Sequence, residues 1–371
     1  MIDNQPLLHQ LFNSGRVRAE NAPLLWSAPA PLPAGLPFER VEGMLLGLAC
    51  GDALGNTSES MKPFDREEKY GRISAYIGNK HAGMRKVGLP SDDTQMAFWT
   101  VEVLLEDGGL DPEHLARRFT AEPIFGIGNT VKEFVRAYKD QKRPWYQAGP
   151  DSAGNGALMR IAPVLLPHLR GHGAGLWADA LLAGMLTHNN RASNAACAAF
   201  TAMLWDLLGM TQPPAPDWWL ERYCAVAAPL EGSQAPMSPR MPGLIYTGPL
   251  WQFAQEQVSQ AWRQNWTTLQ AGNTWGSGAF LMETVPAALY ILMQYAHDPE
   301  QAVTAAVNDT RDNDTIAAIV GAAVGALHGK AALPERWLAG LSGRTNAGND
   351  GHVQELILQA KMRFWDGEST G

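Results

Sequence analysis

Between residues 316 and 327 the chain reads I-A-A-I-V-G-A-A-V-G-A-L, without one charged side chain, and directly before it stands Arg311-Asp312-Asn313-Asp314-Thr315. A run that is apolar all round predicts a helix buried on every side, about which the remaining chain must pack. Two carboxylates at the mouth of such a helix need an explanation. A single Asp or Thr would cap the free N–H groups and suit the positive end of the helix dipole, for about 1 kcal/mol. The device recurs at Ser91-Asp92-Asp93-Thr94, which opens another apolar-patterned helix carrying Met96, Ala97, Trp99, Val101, Val103 and Leu104. Two such starts facing each other would form a cluster of four carboxylates. Like charges at that density raise one another's pKa or demand a cation, and hard cations such as Mg2+ take oxygen ligands from carboxylates, hydroxyls and water. Capping accounts for either motif alone; the pair points to a metal.

Strand-like alternation is nearly absent from the rest of the chain, so the expected fold class is all-α. Hydrophobic residues make up 46% and charged residues 18% of 371, enough for a sizeable core and too apolar for global disorder. The net charge of -8 is spread without a basic face, which argues against nucleic acid as a partner. Cys50, Cys197 and Cys224 lie far apart with no CxxC, a pattern of free thiols rather than disulfides or zinc. No apolar run reaches the roughly 18 residues of a membrane span, and the start at Met1-Ile2-Asp3-Asn4 does not read as a signal peptide. The expected location is the cytoplasm.

Residues 1–38 read as an N-terminal extension to a domain at 39–371. Leu7, Leu8, Leu11 and Phe12 fall at helical spacing, Arg16 and Arg18 follow, and Pro23, Pro29, Pro31, Pro33 and Pro37 make a stiff strip. The strip can be a partner-binding arm, a run over the surface, or a disordered leader. The helix expected at 41–54 carries Gly43, Gly47 and Gly51 at intervals of four, which would admit another helix closely, and Asp52 interrupts its apolar surface. Glu59 follows in a loop with Gly55, Asn56 and Ser58, and 61–90 reads as irregular and mobile around Gly78, Gly83, Gly88 and Pro90. At 151–160, D-S-A-G-N-G-A-L-M-R is a glycine turn that could offer backbone N–H groups to a phosphate; a plain turn fits equally. Thr187-His188-Asn189-Asn190 precedes an Ala-rich helix, and a histidine at a helix entry is more often a capping residue than a catalyst. Residues 210–250, rich in Pro and Trp, read as an insertion or long connection.

Taken together and in order, five blocks resemble the ADP-ribosylglycohydrolase family over residues 40–365. They are G-L-A-C-G-D-A-L-G (47–55) with Glu59, S-D-D-T-Q-M-A (91–97), G-N-G-A-L-M-R-I-A-P (154–163), the pair Thr187-His188, and E-T-V-P-A-A-L-Y (283–290) leading to D-N-D-T-I-A-A-I-V-G-A (312–322). The resemblance implies a compact orthogonal bundle of helices around a central dinuclear magnesium site, with Mn2+ as the alternative ion. Ser91, Asp92 and Asp93 match one ligand group and Asp312, Asp314 and Thr315 the other, Asp314 lying between the ions. Glu59 matches a glutamate in a loop that closes over substrate. The turn of Ser152, Gly154, Asn155 and Gly156 matches one that holds a diphosphate, and His188 stands where the family approaches the nucleotide. Arg311 and Asn313 depart from the usual Gly and Thr; neither is a usual ligand position.

The implied activity is removal of ADP-ribose from arginine on a modified protein. Cleaving that N-glycosidic bond builds positive charge on the ribose, which two cations and an oriented water can serve. Asp93 or Asp314 could take the water's proton while Glu59 positions or protonates, the order of roles being open. A second reading is an immunity protein that blocks a cognate ADP-ribosyltransferase through residues 1–38, as relatives act as antidotes to such toxins. A third is a structural descendant like the lens crystallins of this family, against which the complete acidic set argues.

Overall fold

The glycines at intervals of four decide the centre of the molecule. The computed structural model describes residues 2–171, 173–233 and 236–367, so Met1 of the expected extension and 368–371 of the expected domain lie outside the described residues. In chain order its helices are α1 (Gln5–Asn13), α2 (Glu39–Gly55), α3 (Pro63–Tyr70), α4 (Asp92–Asp107), α5 (Pro112–Ala121), α6 (Asn129–Val135), α7 (Trp145–Ala148), α8 (Gly175–Met185), α9 (Arg191–Gly209), α10 (Pro216–Glu231), α11 (Leu250–Arg263), α12 (Thr268–Trp275), α13 (Leu281–Tyr295), α14 (Pro299–Asp309), α15 (Asn313–His328), α16 (Glu335–Gly340) and α17 (His352–Lys361). Among the described residues the sheet content is one short hairpin, Gly78–Asn79 against Arg85–Lys86. The fold is all-α, as expected.

Helices α2 and α15 run antiparallel with their backbones in contact. A methyl group on Gly47 would lie 2.1 Å from the carbonyl oxygen of Gly321, one on Gly51 2.1 Å from that of Ala317, and one on Gly43 2.5 Å from that of Gly325. No side chain fits there, so main-chain dispersion and Cα–H···O contacts replace interdigitated side chains. This register carries the C-terminal end of α2 to the N-terminal end of α15, where a methyl on Gly55 would touch the Asp314 backbone. Asp52 and Glu59 thereby arrive beside Asp312 and Asp314. Helices α9, α13 and α14 flank α15, and α4 packs on α2 to complete the core.

Two stretches differ from their sequence reading, and for the N-terminal extension the structure shows the run over the surface, one of the readings left open. Segment 61–90 is not wholly irregular: Pro63 opens α3, and the buried Arg66 on it donates to Ser58 Oγ (3.0 Å), Met61 O (3.0 Å), Asn308 O (3.1 Å) and Thr310 O (2.8 Å), pinning the Glu59 loop to the approach of α15. The connection expected over 210–250 contains α10, which buries Trp219 and Tyr223. The N-terminal extension lies on the core. Leu8, Leu11 and Leu25 are buried, Trp177 Nε1 and Trp205 Nε1 each donate at 2.7 Å to the carbonyls of Ser27 and Ala30, and Arg18 pairs with Asp151. The leucines that suggested an arm for another protein are spent inside this one. All three cysteines are free, and among the described residues no helix is long and apolar enough to cross a membrane.

Candidate metal centre and active site

Neither pair of aspartates is consumed by capping. Asp312 makes no side-chain bond to the first turn of α15, and at α4 the cap is Ser91, whose Oγ accepts from Asp93 N at 3.3 Å. Asp314 Oδ1 accepts from Thr315 N at 3.0 Å, and carboxylate oxygens of both pairs still converge. Oxygens of Asp52, Asp93 and Asp314 lie within 4.8 Å of one another, as do those of Glu59, Asp312 and Asp314, so two clusters share Asp314.

Burial, then the charge of neighbouring carboxylates, pushes Asp93 and Asp314 well above the usual range and Asp92 up to about 8. Asp312 is raised to about 7, chiefly by burial, although Asn155 donating to it acts the other way. Such groups fit a cation. Asp93 Oδ1 is buried without a hydrogen-bond partner, while Oδ2 accepts from Ser91 Oγ at 2.9 Å and Thr315 Oγ1 at 3.4 Å. An orphaned carboxylate oxygen amid an all-oxygen donor set is the chemistry of a hard divalent ion.

Asp52 takes a place that the sequence reading left without a role. Its carboxylate accepts from Ser91 N at 3.1 and 3.0 Å, from Thr94 N at 3.1 Å and from Thr94 Oγ1, so an aspartate on α2 caps the start of α4. Oδ2 carries most of these bonds, which leaves Oδ1 the freer atom for a cation. The signal was an aspartate on an otherwise apolar helix. Arg66 had no comparable signal.

The glycine turn is sewn to the start of α13: Asn155 N donates to Ala279 O at 3.0 Å and Leu281 N to Ala153 O at 2.9 Å. The Asn155 side chain faces the carboxylates, donating to Asp312 Oδ2 at 2.5 Å and Thr284 Oγ1 at 2.9 Å. The ring of His188 leaves no room for a methyl group on Gly156, which would lie 2.8 Å from it, and would crowd one on Gly154 at 3.2 Å. His188 is not the cap of α9. That role belongs to Asn190, which accepts from Ala192 N at 2.9 Å and Ser193 N at 3.4 Å.

The neutrality of His188 follows from its neighbours. Buried Arg160 donates from Nη2 to Thr187 Oγ1 at 2.7 Å, and His188 Nδ1 lies 2.9 Å from the same hydroxyl, which can give its proton to Nδ1 or accept from Nδ1–H with its second lone pair. The first tautomer makes Nε2, on the side of the glycine turn, a donor and the second makes it an acceptor. Burial and Arg160 lower the imidazole's pKa to about 3, which keeps it neutral.

One cavity of about 350 Å³ is lined by Glu59, Asp92, Asp93, Asp312, Asp314 and Thr315 on one side and by Ser152, Gly154, Asn155, Gly156 and His188 on another. Of the residues singled out from the sequence, Ser91 alone lines the adjoining cavity instead. Arg240, from the connection before α11, also lines the site and stands 4.1 Å over the ring of Phe280; nothing in the sequence marked it. Arg311 lines a neighbouring cavity and not the one that holds the carboxylates. Asn313 is buried and donates to Gly55 O at 3.1 Å and Ser58 Oγ at 3.0 Å, holding the base of the Glu59 loop.

A family profile described as ADP-ribosylglycohydrolase matches residues 34–367. The chain is 34% identical over 175 residues to the ADP-ribosyl-[dinitrogen reductase] glycohydrolase of Rhodospirillum rubrum, covering 46% of this chain and 58% of that protein, under two thirds of its length. It is 25% identical over 351 residues to the ADP-ribosylarginine hydrolase Tri1 of Serratia proteamaculans (strain 568), covering 91% of this chain and 84% of the relative. A solved structure titled ADP-ribosylglycohydrolase-related protein complex shares the fold with a TM-score of 0.59 and 24% identity, over 87% of this chain and 95% of that one.

Proposed function

The chain belongs to the ADP-ribosylglycohydrolase family, and we propose that it hydrolyses the N-glycosidic bond between ADP-ribose and an arginine of a modified protein with the help of two Mg2+ ions, Mn2+ being the alternative. The observation that carries this reading is the pair of oxygen clusters sharing Asp314 in the same cavity as the glycine turn. Membership of the family supports a hydrolase of ADP-ribosyl bonds. Arginine as the linkage rests on the name of the Serratia relative, which aligns over most of this chain.

Bound at these clusters, the cations would supply positive charge to polarise a water and the ribose hydroxyls. The protein's own part begins at the far wall. Asn155 N is taken by Ala279 O and Gly154 N by Ser152 Oγ, so the diphosphate is received at the Gly156 N–H beside His188, and Asn155 ties that wall to Asp312. Asp93 or Asp314, both in the shared oxygen clusters lining this cavity, is placed to accept a proton from the attacking water. Glu59, raised by burial and by Asp52, stands at the cavity mouth, where it can position the water or protonate the departing guanidine.

The blocking role for residues 1–38 has less to recommend it, because Leu8 and Leu11 are buried in the chain's own core and Arg18 is paired with Asp151. Incubation with arginine-ADP-ribosylated protein, with Mg2+ or with excess chelator, tests the proposal. Release of ADP-ribose that stops on chelation and returns with Mg2+ is the expected result. Release unaffected by chelator would overturn the metal-assisted chemistry, and no release would overturn the hydrolase.

A further inference from the structure

Past Glu59 and Gly126, which line both spaces, the carboxylate cavity continues into a second one of about 680 Å³. Its charge is opposite in sign to that of the chain as a whole. Lys69, Lys80, His81 and Arg344 line it, and the one carboxylate among its lining residues is Glu59, while the whole chain carries -8. Among the described residues no carboxylate lies within 4.0 Å of the Lys69, Lys80 or Arg344 cations, though ten other basic side chains do form such pairs. Instead Lys69 Nζ stands 4.9 Å from the ring centre of Tyr70 and the Arg344 guanidinium 5.8 Å from that of Phe125. The Arg344 Nε is buried with no acceptor at all. A buried donor without a partner, beside cations without counter-charges, is an arrangement that an anionic ligand would complete.

The position of this cavity says which part of a substrate enters it. The ADP portion extends from the carboxylates to the glycine turn, so the bond to the acceptor points away from that wall. The residues that the two cavities share, Glu59 clustered with Asp312 and Asp314 and Gly126 beside Asp92, put the second cavity at the carboxylate end of the site. We propose that the second cavity receives the acceptor protein and favours a segment with acidic residues next to the modified arginine. This inference rests on the function proposed above. Lysines at a concave rim raise the encounter rate with an anionic partner, an advantage that salt removes.

Three substrates separate the inference from its premise: free ADP-ribosylarginine, and two ADP-ribosylated peptides whose arginine is flanked by Glu or by Lys. At low salt the wild type is expected to show kcat/KM about tenfold higher for the Glu-flanked than for the Lys-flanked peptide, the gap closing as NaCl is raised. In the double variant Lys80→Glu, Arg344→Glu the order should reverse, while turnover of free ADP-ribosylarginine stays at the wild-type value and thereby shows the site intact. Should that variant fail to fold, Lys69→Glu with Lys80→Glu, both on exposed side chains, reads the same effect. Equal kcat/KM for the two peptides, or a preference that survives charge reversal, overturns the inference and leaves the hydrolase standing. Failure of the wild type on all three substrates overturns both.

Discussion

The side-chain amide of Asn155 donates to Asp312 Oδ2 at 2.5 Å, joining the glycine turn directly to the carboxylate cluster. Asn155 was singled out as part of a phosphate-holding turn, and its backbone does belong to that turn. Its side chain serves the other half of the site. Asn155→Ala should therefore lower Mg2+ affinity about tenfold, as the loss of a hydrogen bond to a ligating carboxylate does, and titration calorimetry would read it. Unchanged Mg2+ affinity in a folded variant would remove Asp312 from the ion's ligands.

The raised carboxylates make a statement about stability and pH. Their unfolded values lie near 4 by ordinary aspartate chemistry, and in the folded protein Asp312 rises to about 7 and Asp92 to about 8. A carboxyl group with a raised folded pKa contributes stability that is fully present below its unfolded value and is lost as pH climbs through the folded one. Metal-free protein should melt at progressively lower temperature from about pH 4 to about pH 8, and Mg2+ should raise Tm most at the upper end. Asp314→Asn should flatten the metal-free curve and abolish hydrolysis. A metal-free Tm that rises over this interval would contradict the charge repulsion.

Thr187 bonds His188 Nδ1, and its replacement should be visible without any assay of turnover. In Thr187→Val the imidazole Nδ1 loses its partner and Arg160 loses an acceptor, at a cost of about 1–3 kcal/mol of stability. Imidazole nitrogen NMR should show a single tautomer in wild type and in Thr187→Ser, and a mixture of tautomers in Thr187→Val. A mixture already present in wild type would sink the idea that this hydroxyl fixes the ring.

Backbone contact between α2 and α15 leaves no room for a methyl group. Gly47→Ala places Cβ 2.1 Å from the carbonyl oxygen of Gly321, a rigid main-chain atom, and should destabilise the fold by about 3 kcal/mol, with the carboxylates displaced from register. Urea unfolding measures the loss. Gly15→Ala has open space around it and serves as the control, with only the strain of its left-handed φ of 66°.

The helix at 313–328 and the one at 92–107 were legible because their signals are local: an unbroken apolar period, and a hydroxyl or carboxylate at the first turn. The same holds for the glycines at intervals of four, whose spacing already implied a close neighbour. Which helix that neighbour would be was decided only by the tertiary fold, since nothing in Gly47 names Gly321. Asp52 shows the limit most clearly, because its bonds cap a helix that begins at Asp92, on another segment of the chain. Arg66 and the N-terminal leucines are of the same kind. Sequence periodicity records how a residue relates to its own helix, whereas a buried arginine's acceptors at Asn308 and Thr310 lie hundreds of residues away and leave no mark in the period around it.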